Sequence, residues 1–82
     1  MMERNQIVDE IRNIVVSVVK HENFQMRDDL VAADVDGWDS LSHMMIITGI
    51  EEKFGFKFKL KDLNKLKNMG SLIEMVQTKT AM

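Results

Sequence analysis

Apolar residues recur every three or four positions at the start of the chain. Ile7, Ile11, Ile14, Val15, Val18 and Val19 form one stripe at helical period, which predicts a helix from about Glu3 to Lys20. The β-branched run from Ile14 to Val19 lowers intrinsic helix propensity, so packing of the stripe has to stabilise the element. The pattern then breaks. From His21 to Asp39 the chain is mostly polar, with Phe24, Met26, Leu30 and Val31 scattered through it. A connection this long in so short a chain is unusual and often functional, and its apolar residues predict that it lies over the core.

Helical spacing resumes at Ser40. The turn signal Asp36-Gly37 and the N-cap candidate Asp39 place the start, and Gly55 places the stop. Ile46, Ile47, Ile50 and Phe54 make one buried face. Leu41, Met44 and Met45 extend onto a second face, either a wider core contact or an exposed partner surface. The alternation Phe56-Lys57-Phe58-Lys59-Leu60 has strand period, but no second strand exists to pair with it, so it reads as an extended loop with buried phenylalanines. A short helix is expected from about Asp62 to Lys65, burying Leu63 and Leu66. Asn68 then caps a last helix from Met69 to about Thr78, with Leu72, Ile73 and Val76 inward and Met69 and Met75 nearby. The expected fold class is all-α: a four-helix bundle with a long first loop and a short third helix.

Composition narrows the function classes. Eighty-two residues predict a single domain, 1–82, with a thin core. The chain has no Cys, which excludes a disulfide framework and a thiol nucleophile. No stretch approaches the roughly 18 apolar residues of a membrane span. The polar start, Met1 to Arg12, does not read as a signal peptide, so a cytoplasmic location is expected. Charge is unevenly spread. Met1 to Asp39 holds nine acidic and four basic residues, whereas Ser40 to Asn68 holds six lysines and three acids. That asymmetry fits either electrostatic docking or a solvated lysine face. Nucleic acid is not an expected partner, because the overall balance is acidic and the second segment has no arginine.

Few residues are equipped for chemistry. Ser40 and His43 lie three apart and fall on one side of a helix, but nucleophilic catalysis also needs an orienting acid and an oxyanion site. No catalytic residue is expected. The loop acids Asp28, Asp29, Asp34, Asp36 and Asp39 briefly suggest calcium, yet Val35 and His43 stand where an EF-hand needs ligands, and no metal site is expected. His21, at the end of the first helix, suits the dipole there.

The most specific constellation is Gly37-Trp38-Asp39-Ser40-Leu41-Ser42-His43, followed by an apolar helix ending in Glu51-Glu52-Lys53-Phe54-Gly55. This resembles the acyl carrier protein family, in which Asp-Ser-Leu opens the second helix and marks phosphopantetheine attachment. The resemblance spans nearly the whole chain, with the helices in the family's order and spacing. It implies that Ser40 carries 4'-phosphopantetheine, taken from coenzyme A by a phosphopantetheinyl transferase, with Asp39 as cap and positioning residue. It also implies docking of acyl-loading and acyl-processing enzymes on Leu41, Met44, Met45, Thr48, Glu51 and Glu52. A monomeric carrier of acyl thioesters, not an enzyme, is the implied function. An aminoacyl or peptidyl carrier is the alternative, followed by an unmodified helical interaction module. Fatty-acid carriers are usually richer in acids along the second helix. Here Met45 stands at a commonly acidic position and lysines follow, which favours a specialised modified-lipid or polyketide-type carrier over a housekeeping one.

The site itself has a physical rationale. A helix start offers unpaired N–H groups and a positive dipole end, and a phosphodiester on its first residue would be favoured there.

Overall fold

The structure, a computed structural model, describes residues 3–80; the first two and last two residues of the expected 1–82 domain lie outside it. Its elements are α1 (Arg4–Val19), a 3₁₀ turn (Ala32–Asp34), α2 (Ser40–Phe54), α3 (Leu60–Leu63) and α4 (Met69–Thr80). The described residues contain no strand, so the all-α, four-helix architecture is the one observed.

α1 buries the predicted stripe, with Ile7, Ile11 and Val15 fully enclosed and Ile14, Val18 and Val19 packed at the edge. It lies against both α2 and α4. Those helices contribute Ile46, Ile47 and Ile50, and Met69, Leu72, Ile73 and Val76. Fully burying an aliphatic side chain of this size contributes about 1.5–3 kcal/mol, so this cluster dominates the stability of so small a domain.

The helix ends follow local chemistry. α1 stops at Lys20, which takes the left-handed conformation at φ 68° and donates its N–H to Val16. α2 stops at Gly55, at φ 75°, where only glycine enters that region without a Cβ penalty. Asn68 caps α4 as predicted, its Oδ1 accepting the Ser71 N–H at 2.9 Å.

Three details depart from the sequence reading. α3 begins two residues earlier, at Leu60, because Asp62 reaches back to accept the Lys59 N–H at 3.0 Å and so occupies the third helical position. Asp62 is buried, and Lys79 of α4 pairs with it at 2.9 Å. Those two donated partners, the Lys59 amide first, hold the Asp62 carboxyl below its ordinary value. The long connection contains the unpredicted 3₁₀ turn, whose Asp34 accepts the Val31 N–H at 3.2 Å. Finally, His21 lies beyond the end of α1. Its Nδ1 accepts the Asn23 N–H at 3.0 Å, so Nε2 donates to the Asp36 carbonyl at 2.7 Å. It ties the two ends of the connection together.

Candidate functional site

The connection is fastened before it reaches α2. The Met69 N–H donates to Leu30 O at 2.7 Å, and the Gly70 N–H to Asp28 O at 2.9 Å. Leu30 and Val35 are buried in the core cluster. A turn then closes with the Trp38 N–H on Val35 O, and Gly37 within it adopts φ 87°. That positive φ is why glycine stands there.

Asp39 is extended and caps α2, its Oδ1 accepting the Ser42 N–H at 2.9 Å. This donated amide holds the Asp39 carboxyl below its ordinary value. The Ser42 hydroxyl turns away and donates to Gly37 O at 2.6 Å, bracing the same corner. The first bond of the helix runs from the His43 N–H to Asp39 O at 2.8 Å. The Ser40 and Leu41 amides thus precede the helical ladder at its positive end, and Ser40 is exposed.

Trp38 and His43 form a wall beside Ser40. The indole Nε1–H donates to His43 Nδ1 at 3.2 Å, with the ring centroids 6.2 Å apart. On one side lies an open depression of about 600 Å³ that includes Ala32, Ala33, Asp39, Ser40 and Met44. On the other is a smaller, partly open pocket of about 80 Å³ against Leu30, Leu66, Met69 and Leu72. His43 is therefore engaged with Trp38 through the nitrogen facing the wall. The tryptophan–histidine bond was not visible in the sequence, since a spacing of five across a helix start has no period to reveal it.

The residues expected to face partners separate into two groups. Leu41, Met44 and Met45 are 72%, 52% and 51% exposed, which decides between an exposed face and a wider core contact in favour of exposure. Thr48 and Glu52 are exposed beside them. Glu51 is half-buried, and its Oε2 accepts the Phe58 N–H at 2.8 Å, so this carboxylate fastens the chain after α2. Among the described residues no three His, Asp or Glu side chains are grouped to hold a metal ion, and no helix is long and apolar enough to cross a membrane.

The chain is similar to known proteins in sequence and fold. The acyl carrier protein of Coprothermobacter proteolyticus is 30% identical over 79 residues, covering 94% of each chain. The chain belongs to the acyl carrier protein family. Its role is that of a carrier and not of a catalyst. The acyl carrier protein of Thermotoga maritima is 24% identical over 79 residues, 96% of this chain and 98% of the relative. The solution NMR structure of a holo acyl carrier protein from Geobacter metallireducens superposes with a TM-score of 0.84 at 37% identity, covering 92% of this chain and 86% of that one. No protein-family model matches the sequence.

Proposed function

We propose that Ser40 bears a 4'-phosphopantetheine arm and that residues 1–82 act as one monomeric carrier domain, presenting acyl thioesters to partner enzymes. The observation that carries this reading is the position of Ser40: exposed, first in α2, and directly behind the N-cap Asp39. A similar chain of known structure is described as a holo acyl carrier protein.

The residues at the site fit such a group. A phosphodiester on Ser40 Oγ would meet the Ser40 and Leu41 amides at the positive end of α2. The Asp39 carboxylate is directed chiefly at the Ser42 amide. The open depression beside Ser40 leaves room for a phosphopantetheinyl transferase, which draws on coenzyme A and Mg²⁺, to approach. Asp39 fixes the helix start and so positions the hydroxyl for that enzyme. When bound, the arm supplies the thiol that this cysteine-free chain lacks.

Acyl-loading and acyl-processing enzymes dock on the exposed side of α2, on Leu41, Met44, Met45, Thr48 and Glu52. Glu51 contributes there by shaping the connection to α3. The cargo belongs to a fatty-acid, modified-lipid or polyketide-type pathway in the cytoplasm, where coenzyme A is available. The apolar pair Met44 and Met45, with Glu52 as the exposed acid beside them, supports a specialised pathway over a housekeeping one.

Intact-mass measurement after incubation with a transferase, coenzyme A and Mg²⁺ tests the central claim. The wild type should gain one phosphopantetheinyl group and Ser40→Ala none. An unmodified wild type, or a modified Ser40→Ala, would refute it.

A further inference from the structure

The stretch between α2 and α4 carries Lys57, Lys59, Lys61, Lys65 and Lys67, all exposed. In its extended part Phe56 and Phe58 turn to one side, their rings edge to face at 4.9 Å. Alternation then sends Lys57 and Lys59 to the other side, toward solvent. The only acid in residues 57–67, Asp62, is buried and paired with Lys79. Glu51 is directed at the Phe58 amide, and Lys53 of α2 is paired with Glu10 at 2.8 Å. Among the described residues, no carboxylate lies within ion-pair distance of any of the five lysines. Lys59 and Lys61 flank Leu60 in the chain, and Leu60 is 76% exposed. A chain with a net charge of −2 thus keeps one edge wholly cationic.

The place of this edge matters. Phe56 and Phe58 are fastened to Glu51, in the last turns of α2. Leu66 and Lys67 line the smaller pocket together with Trp38 and His43, at the start of α2. The segment therefore runs beside α2 over about 12 Å of helix rise, from its far end to the end that bears Ser40. At that end Lys67 shares Trp38 and His43 with the depression bordered by Ser40 and Met44.

We infer that the enzymes acting on the arm meet residues 57–67 with an acidic surface. The inference rests on the reading of Ser40 as the attachment site. A protein is the occupant that fits, because the lysine segment ends beside Trp38 and His43, which also border Ser40 and the exposed apolar Met44 where the arm would emerge. An anionic lipid surface would share the charge complementarity, but Leu60 is the one exposed apolar side chain in the segment available to anchor it. Complementary charge beside an apolar centre speeds encounter and fixes register, and it weakens as salt screens it.

The test uses the holo-protein in cell-free extract of the native host. Acetyl-, malonyl- and octanoyl-coenzyme A are supplied, and acylation of the arm is followed by intact mass. Reversing all five charges (K57E/K59E/K61E/K65E/K67E) should slow acylation by about tenfold or more at low ionic strength. The corresponding glutamine variant should fall between, and the differences should close at high salt. Circular dichroism of both variants should match the wild type, since all five side chains are exposed. Equal or faster acylation of the charge-reversed carrier overturns the inference while leaving Ser40 standing. So does a lysine dependence that disappears once membranes are removed, accompanied by flotation of the wild type with phosphatidylglycerol vesicles. A wild type that never gains its arm overturns both readings.

Discussion

Gly70 is a sharp test of how the site is supported. A Cβ built on it would lie 2.9 Å from Asp28 Cβ, 3.0 Å from Asp28 O and 3.2 Å from Asp28 Cα. Backbone atoms among these cannot rotate away, so alanine must push the long connection off the start of α4. Two hydrogen bonds are anchored there, from the Gly70 and Met69 amides to Asp28 and Leu30. Forcing extra volume into such a contact costs about 1–3 kcal/mol. The gain from replacing a helical glycine is about 1 kcal/mol at most, and it is smaller in the first turn, where Gly70 lies. A net loss of about 1–2 kcal/mol translates into a melting point about 4–16 °C lower for a domain of this size. Gly49 is the internal control. Its Cβ would meet a side-chain methyl, Ile14 Cγ2, at 3.0 Å, and that group can shift. Gly49→Ala should therefore remain within about 4 °C of the wild type, the propensity gain offsetting the contact. Thermal unfolding at 222 nm measures both. A Gly70→Ala protein as stable as the wild type, or more so, would refute the argument that this close approach fixes the connection.

Ile50 is fully buried in the core cluster, on the inner face of α2. Ile50→Ala should cost about 2–5 kcal/mol and Ile50→Val about 0.5–1.5, read from urea unfolding at constant slope. Asp62 should make stability pH-dependent. Its carboxyl is held below its ordinary value of 3.8 in the folded state, so its contribution is complete above that value and is lost as pH falls through the lowered one. The melting-point gap between wild type and Asp62→Asn should therefore be open at neutral pH and close in acid. A gap that widened toward acid would have the wrong sign for this pairing.

Much of this was legible in the sequence because it is local. The stripe from Ile7 to Val19 predicted α1 to within a residue at each end, and Asp39, Ser40 and Gly55 bounded α2 correctly because caps and stops are short-range chemistry. The constellation around Ser40 also placed that residue first in its helix, where the structure has it exposed. What stayed hidden is non-local. Asp62 looked like a helix start on the surface, and nothing within a few residues of it announces Lys79. Val35 sits in a run of polar residues and is nonetheless buried, because the connection is drawn over the core by contacts to α4. The lysines after α2 were visible, but not their lack of partners, which depends on where Asp62, Glu51 and Glu10 turn.

These non-local ties explain why a long connection ends in a well-defined site. The segment from His21 to Asp39 lacks regular structure apart from one 3₁₀ turn. It is instead pinned at intervals: His21 to Asp36 across its length, Asp28 and Leu30 to the start of α4, and Leu30 and Val35 into the core. Each pin removes freedom from the backbone that delivers Gly37, Trp38 and Asp39 to the corner. The corner itself is closed by the Asp39–Ser42 and Ser42–Gly37 bonds. The result is a rigid mount with an exposed hydroxyl at its tip. If Ser40 bears the proposed arm, that mount keeps the same shape while motion is left to the arm. Loosening a distant pin, as at Gly70, should then disturb the presentation of Ser40 without touching it.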